Sequence, residues 1–197
     1  TDAGKTWTHM GLDEIRQISK IVVHPTNPDI LLVAGQGSPY GATEARGIYR
    51  SENGGETWEK VHYIDENSGV SDLSMDMKNP RMIYAAYWDH RRFPWKVQSG
   101  GPGSGIYKSS DMGKTWTKLT EGLPKSVMGK IGISVSRANP NIVWAIIEAE
   151  DGGLYRSDDA GKSWRLVNED RLLRARSWYY MHILAHPTEP ETVYIMN

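Results

Sequence analysis

The chain has 197 residues, with 23 Lys and Arg against 24 Asp and Glu and a formal net charge of −1. A near-neutral chain without a basic block lacks the concentrated positive face that nucleic acid needs. No apolar run approaches the roughly 20 residues of a membrane helix, and the lack of cysteine excludes disulfide scaffolds, thiolate zinc sites and cysteine nucleophiles.

Eight Trp and ten Tyr stand beside a single Phe, and 20 Gly with 10 Pro predict many short strands joined by turns. In chain order, the first feature is Asp2-Ala3-Gly4-Lys5-Thr6-Trp7, which runs into a predicted trailing strand and closes a unit over residues 1–10. Strand pairs then alternate with the same motif. Ile21–Val23 and Ile30–Val33 flank the turn Asn27-Pro28; Gly47–Arg50 leads into the box Ser51–Trp58. Leu73–Met75 and Met82–Ala85 flank Asn79-Pro80; Gly105–Lys108 leads into Ser109–Trp116. Ile131–Ile133 and Ile142–Ala145 flank Asn139-Pro140; Gly153–Arg156 leads into Ser157–Trp164. A last pair, Ile183–Ala185 and Thr192–Ile195, flanks Glu189-Pro190. Proline fixes φ and offers no ladder donor, so it belongs in these connections.

Trp7, Trp58, Trp116 and Trp164 are 51, 58 and 48 residues apart, a repeat period that outranks local propensity. Each period holds four short strands, and no segment keeps a 3.6-residue apolar period. A four-stranded unit of this kind buries its faces only against neighbours arranged around an axis. The predicted fold is therefore all-β, a β-propeller of four-stranded antiparallel blades forming a partial ring. Three complete blades are expected at about 18–61, 70–119 and 131–167, with the first half of another at 181–197. The expected total of fifteen strands does not divide by four, which reads as an excerpt from a longer chain whose remaining blades would be its nearest partners.

The pattern Ser-x-Asp-x-Gly-x-Thr-Trp resembles the Asp-box, or BNR, repeat of sialidase-like, sortilin-like and xyloglucanase-like propellers. The resemblance extends over essentially the whole chain and is closest to exported bacterial proteins of the sortilin-like and xyloglucanase-like group. It implies an exported location, periplasmic, surface or secreted. In the box, Ser and Asp side chains suit hydrogen bonds to the turn backbone, Gly suits positive φ, and Trp is expected to be buried with its indole N–H seeking an acceptor. The recurring Asp2, Asp111 and Asp159 mark architecture rather than catalysis, because Asn53 stands in the second copy.

The Pro turns and boxes share one face of such a propeller, leaving the long, dissimilar loops on the other, where binding usually sits. The richest predicted loop, Tyr87–Ser104, carries Trp88, Asp89, His90, Arg91, Arg92 and Trp95. Its aromatic faces suit sugar rings or peptide side chains, and paired arginines suit a carboxylate. Equally, the arginines could pair with Asp89 or nearby acids while the tryptophans pack the loop. A second cluster holds Arg174, Arg176, Trp178 and Tyr179. Glu148, Glu150 and Asp170 are the carboxylates considered for glycoside hydrolysis, which needs two of them about 5–10 Å apart. No metal-ligand spacing links the histidines, and the Gly100–Gly105 run fits neither a P-loop nor a dinucleotide fingerprint. No cofactor, metal or nucleic acid is expected.

Two functions follow. The first is a scaffold binding a peptide, a protein or an oligosaccharide, as the sortilin-like resemblance implies. The second is a glycoside hydrolase of xyloglucanase-like or sialidase-like type. The chain lacks the sialidase Arg-Ile-Pro stretch and has no Asp followed by Ile-Gly-Gly, as the xyloglucanase pattern would require.

Overall fold

The structure is a computed structural model describing residues 2–197. Thr1, the first residue of the expected trailing strand, lies outside the described residues.

Strands numbered in chain order form four antiparallel sheets. The first holds β1 (Ile18–Val23), β2 (Leu31–Gly35), β3 (Gly47–Ser51) and β4 (Glu59–His62), in that spatial order. The second holds β5 (Ser68–Met75), β6 (Ile83–Arg92), β8 (Gly105–Ser109) and β9 (Thr117–Leu119), with β7 (Val97–Ser99) paired to the far end of β6. The third holds β10 (Ile131–Val135), β11 (Val143–Ile147), β12 (Gly153–Ser157) and β13 (Arg165–Asn168). The last is the pair β14 (His182–Ala185) and β15 (Val193–Met196). Each sheet is a meander whose consecutive strands pair, the blade of a propeller. The only helical turns among the described residues are 3₁₀ segments at Asp13–Ile15 and Arg171–Arg174.

The innermost strands β1, β5, β10 and β14 lie side by side about the axis without pairing as a sheet. Side chains do what a ladder would otherwise do. Ser19 Oγ donates to Val70 O at 2.6 Å, and Ser71 Oγ donates to Ile131 O at 2.8 Å. In the other direction Ile133 N donates to Asp72, Val135 N to Ser74 Oγ and Ala185 N to Ser134 Oγ, each at 3.0 Å. These bonds satisfy backbone groups that burial would otherwise orphan.

Between blades the packing is as repetitive as the sequence. Leu32 and Tyr84 occupy equivalent places on their second strands. Each abuts the glycine of the following blade's box, Leu32 against Gly113 and Tyr84 against Gly161. A cation on the third strand adds a stitch: Arg50 Nε donates to Met112 O at 3.0 Å, and Lys108 Nζ donates to Ala160 O at 2.6 Å. The Pro turn of each blade ties to its own box through Gly54 N to Asp29 O, Met112 N to Arg81 O and Ala160 N to Asn141 O, so turns and boxes share one face.

Within a box, Ser109 Oγ accepts from Gly113 N, and Asp111 accepts from the Thr115 amide and hydroxyl. Asn53 keeps the amide contact from Thr57 N but reverses the second bond, its Nδ2 donating to Thr57 Oγ1 at 2.9 Å. His24 and His186 have equivalent turn-closing roles: each Nδ1 accepts main-chain N–H bonds from the residues that follow.

Three expectations need correction. Residues 6–10 form no strand, and Trp7 is 89% exposed. Box tryptophans are not uniformly buried, because each is covered by the segment that ends the preceding unit. Trp164, beside Leu119 and Leu123, is buried, whereas Trp116 beside Val61 and Trp58 beside Met10 and Gly11 are half-buried, and Trp7 has no such cover among the described residues. Finally, Tyr87–Ser104 is not a loop. Its first six residues continue β6, and His90, Arg91 and Arg92 pair with Ser99, Gln98 and Val97 of β7 to make a hairpin.

Candidate functional site

The hairpin β6–β7 rises on the face opposite the boxes, and strand alternation sorts its side chains. Trp88, His90 and Arg92 share one side of β6, and Asp89 and Arg91 the other. Trp88 and His90 stack with ring centroids 4.1 Å apart and 13° between planes. Trp88 Nε1 donates to Ser99 Oγ at 2.9 Å, and Ser99 Oγ donates to Glu148 at 2.6 Å. Glu148 also accepts from Lys130 N at 2.8 Å, and Lys130 Nζ lies 5.5 Å from the Trp88 ring centre. The network fixes the indole and engages Glu148, one of the three carboxylates considered for hydrolysis.

Behind this pair sits Arg46, fully buried, which the sequence gave no signal to single out. Its guanidinium donates to Ser38 O at 2.6 Å and to His90 Nδ1 at 3.1 Å. Guanidinium has no acceptor, so Nδ1 receives this bond and the neutral ring carries its proton on Nε2. Burial, then the Arg46 charge, pushes His90 down to about 4. His90 Nε2 is buried without a partner. Burial and then Asp65 push Asp89 up, with Arg46 opposing.

The second sequence cluster reaches the same place by a different route. Asp170 accepts from Leu172 N and starts a 3₁₀ turn; Asn197 accepts from Arg176 N and donates to Leu172 O. Between these ties the chain turns so that Trp178 and Tyr179 stand outward, 45% and 67% exposed, with centroids 5.8 Å apart. Together with Gln17, Gln36, Pro39, Val97 and Lys130 they enclose, against Trp88, His90 and Arg92, a cleft of about 260 Å³.

Of the ten residues expected in binding, five therefore line one cleft: Trp88, His90, Arg92, Trp178 and Tyr179. The other five do not. Asp89 lies behind it against Gly101 and Gln98, and the Arg91 guanidinium covers Phe93 at 5.0 Å. Trp95 stacks on Phe93 at the hairpin tip, 78% exposed. Arg176 flanks Trp178 and Tyr179 from outside, and Arg174 donates to Ala149 O. Neither Arg91 nor Arg92 pairs with a carboxylate among the described residues. Gln17, Gln36 and Lys130 were missed because nothing local marks them; only the curvature of the ring brings them in.

The carboxylates considered for hydrolysis stand apart. Glu148 is held by Ser99 and Lys130, Glu150 lines a separate recess with Glu169, Arg171 and Arg174, and Asp170 caps its turn. No carboxylate lines the aromatic cleft among the described residues. Nor does any group of three or more His, Asp and Glu there suit a metal ion, and no helix is long and apolar enough to cross a membrane.

The family model described as Sortilin-Vps10 (sortilin, neurotensin receptor 3) matches residues 1–125. No curated protein matches the chain. Among solved structures, the GH74 xyloglucanase from Xanthomonas campestris is similar with a TM-score of 0.67 and 18% identity, over 90% of this chain and 26% of that one. An ancestral GH74 enzyme gives 0.59 and 19% over 79% of this chain and 19% of that one. The Niastella koreensis GH74 enzyme gives 0.56 and 20% over 75% and 22%. The chain thus spans from 19% to 26% of these proteins' own length, and the likeness is one of fold.

Proposed function

The chain belongs to the Sortilin-Vps10 family of Asp-box propellers, and on that footing we propose that it works as a binding scaffold, holding a peptide, protein or oligosaccharide ligand in the cleft between the β6–β7 hairpin and the Trp178–Tyr179 turn. The observation that carries this reading is the lining: two outward aromatic rings, a buried stacked pair, two cations and two side-chain amides, with no carboxylate among the described residues. Aromatic faces and fixed donors suit recognition, whereas acid–base hydrolysis needs paired carboxylates.

Further blades of a parent chain are proposed as its intramolecular partners. In support, Ile21 and Val23 on β1 and Leu184 and Tyr194 on the last pair are exposed apolar residues at places that are covered in the middle blades. Family membership is the ground for proposing an extracytoplasmic location. The test is a screen of the full-length protein against glycan and peptide arrays, repeated with Trp178→Ala and Tyr179→Ala. Loss of the ligand in both variants is the expected result. Unchanged binding in both, or release of sugar from a polysaccharide that Glu150→Gln abolishes, would overturn the reading.

A further inference from the structure

The binding reading leaves the ligand's chemistry open, and the cleft constrains it. Its main-chain donors are already committed. Gln36 N donates to Gln17 O at 2.9 Å, His90 N to Asn67 O at 3.2 Å, Arg92 N to Pro39 O at 2.7 Å and Lys130 N to Glu148 at 2.8 Å. A peptide recognised as an added strand draws on backbone donors, and these donors are already taken. What the cleft presents is side chains: the amides of Gln17 and Gln36, the rings of Trp178 and Tyr179, and the cations Arg92 and Lys130. His90 adds a buried, unpartnered Nε2–H, locked in that tautomer by Arg46.

The charge is one-sided. Lys130 is drawn on by Asp72 and Glu148, which oppose the lowering that burial imposes on it. Arg92 has no carboxylate partner among the described residues and keeps its planar fork uncommitted. Flat aromatic faces, amides and a neutral donor suit ring faces and hydroxyls, and an uncommitted guanidinium suits a planar anion.

Resting on the binding-scaffold reading, we propose that the cleft takes an acidic oligosaccharide, a chain of uronate-type sugars whose rings stack on Trp178 and Tyr179 while a carboxylate is held by Arg92. Lys130 adds field, and His90 Nε2–H and the two glutamine amides take hydroxyl groups.

The experiment is calorimetric titration of the full-length protein with trigalacturonic acid, with the same trimer methyl-esterified on its carboxylates, and with triglutamate. The acid trimer is expected to bind about tenfold more tightly than the neutral ester, as one charge-assisted contact provides, and triglutamate no more tightly than the ester. Arg92→Ala should bring the acid-to-ester ratio close to one, and Trp178→Ala should weaken acid and ester alike. Arg92 and Trp178 are exposed or half-exposed, and a thermal melt confirms that each variant folds. Equal affinity for acid and ester would overturn the acidic assignment; if Trp178→Ala still weakened both, the binding-scaffold reading would stand. Triglutamate binding above the acid trimer would replace the sugar with a peptide. An acid trimer that fails to bind at millimolar concentration would refute the inference, leaving the scaffold reading to its own array screen.

Discussion

Asp72 lies at the seam between the second and third blades, where Ile133 N and Leu73 N donate to it and Lys20 Nζ approaches to 3.9 Å. Burial pushes its carboxyl from 3.8 to about 6, with these contacts and Lys130 opposing. In the unfolded chain it ionises near 4, so between pH 4 and 6 the folded state holds a proton that the unfolded state has released. Stability from this group is therefore greatest below pH 4 and falls as pH rises to 6, by about 3 kcal/mol at roughly 1.4 kcal/mol per pH unit. His90 acts oppositely in much the same window: its folded value near 4, against 6.5, makes stability fall as pH drops from 6.5 to 4. The wild-type profile is thus expected to be shallow, two buried groups offsetting one another.

Asp72→Asn removes one side of that balance. The amide has one acceptor for two backbone donors, so absolute stability is expected to fall by about 1–2 kcal/mol at low pH. The informative quantity is the difference between variant and wild type in urea unfolding at pH 4, 5, 6 and 7. That difference should move in favour of the variant by about 2–3 kcal/mol between pH 4 and 6 and stay flat above. A difference independent of pH would refute the placement of an ionisable, desolvated carboxyl at the seam.

Other expectations concern the boxes. Trp164→Ala should cost about 3–5 kcal/mol in denaturant unfolding, Trp116→Ala roughly half that, and Trp7→Ala under ~0.5 kcal/mol, following cover rather than motif. Asp111→Asn should be tolerated within about 1 kcal/mol, because Asn53 makes the same clamp with one bond reversed. Asp159 titrates near 2, held down first by the Ser163 hydroxyl, so its contribution is present above pH 4 and lost as pH falls toward 2. Exposure limits it to less than ~1 kcal/mol, and Ser163→Ala should flatten that acid limb in a pH-dependent melt. Gly113→Ala should cost about 2 kcal/mol or more, since φ is +80° and a Cβ would lie 2.5 Å from Leu32 Cδ2; a neutral melt would mean the blades are not in contact there.

The blade pattern was legible because turn chemistry is local: Asn-Pro, the box glycine and the Ser–Asp pair act on their own backbones. The hairpin was not, because Asp89, His90, Arg91 and Arg92 are poor strand formers taken singly, and β-propensity reflects context more than identity. Their alternation was visible, with Trp88, His90 and Arg92 at every second position. Membership of the cleft was half legible. The aromatic and basic clusters drew attention by composition, yet Trp88 and Trp178 are ninety positions apart and meet through the ring's curvature. Arg46 has no sequence signature; it is recognisable only once His90 is seen to lie against it.

The stitch from Arg50 to Met112 O and from Lys108 to Ala160 O runs in a single sense around the ring, each blade gripping the corner of its successor. Such a molecule has polarity of disassembly. Deuterium uptake should advance inward from the two ends, with the amides of Met112 and Gly113 among the slowest to exchange. A pull on the last pair should shed blades one after another, each release loosening the grip on only one neighbour.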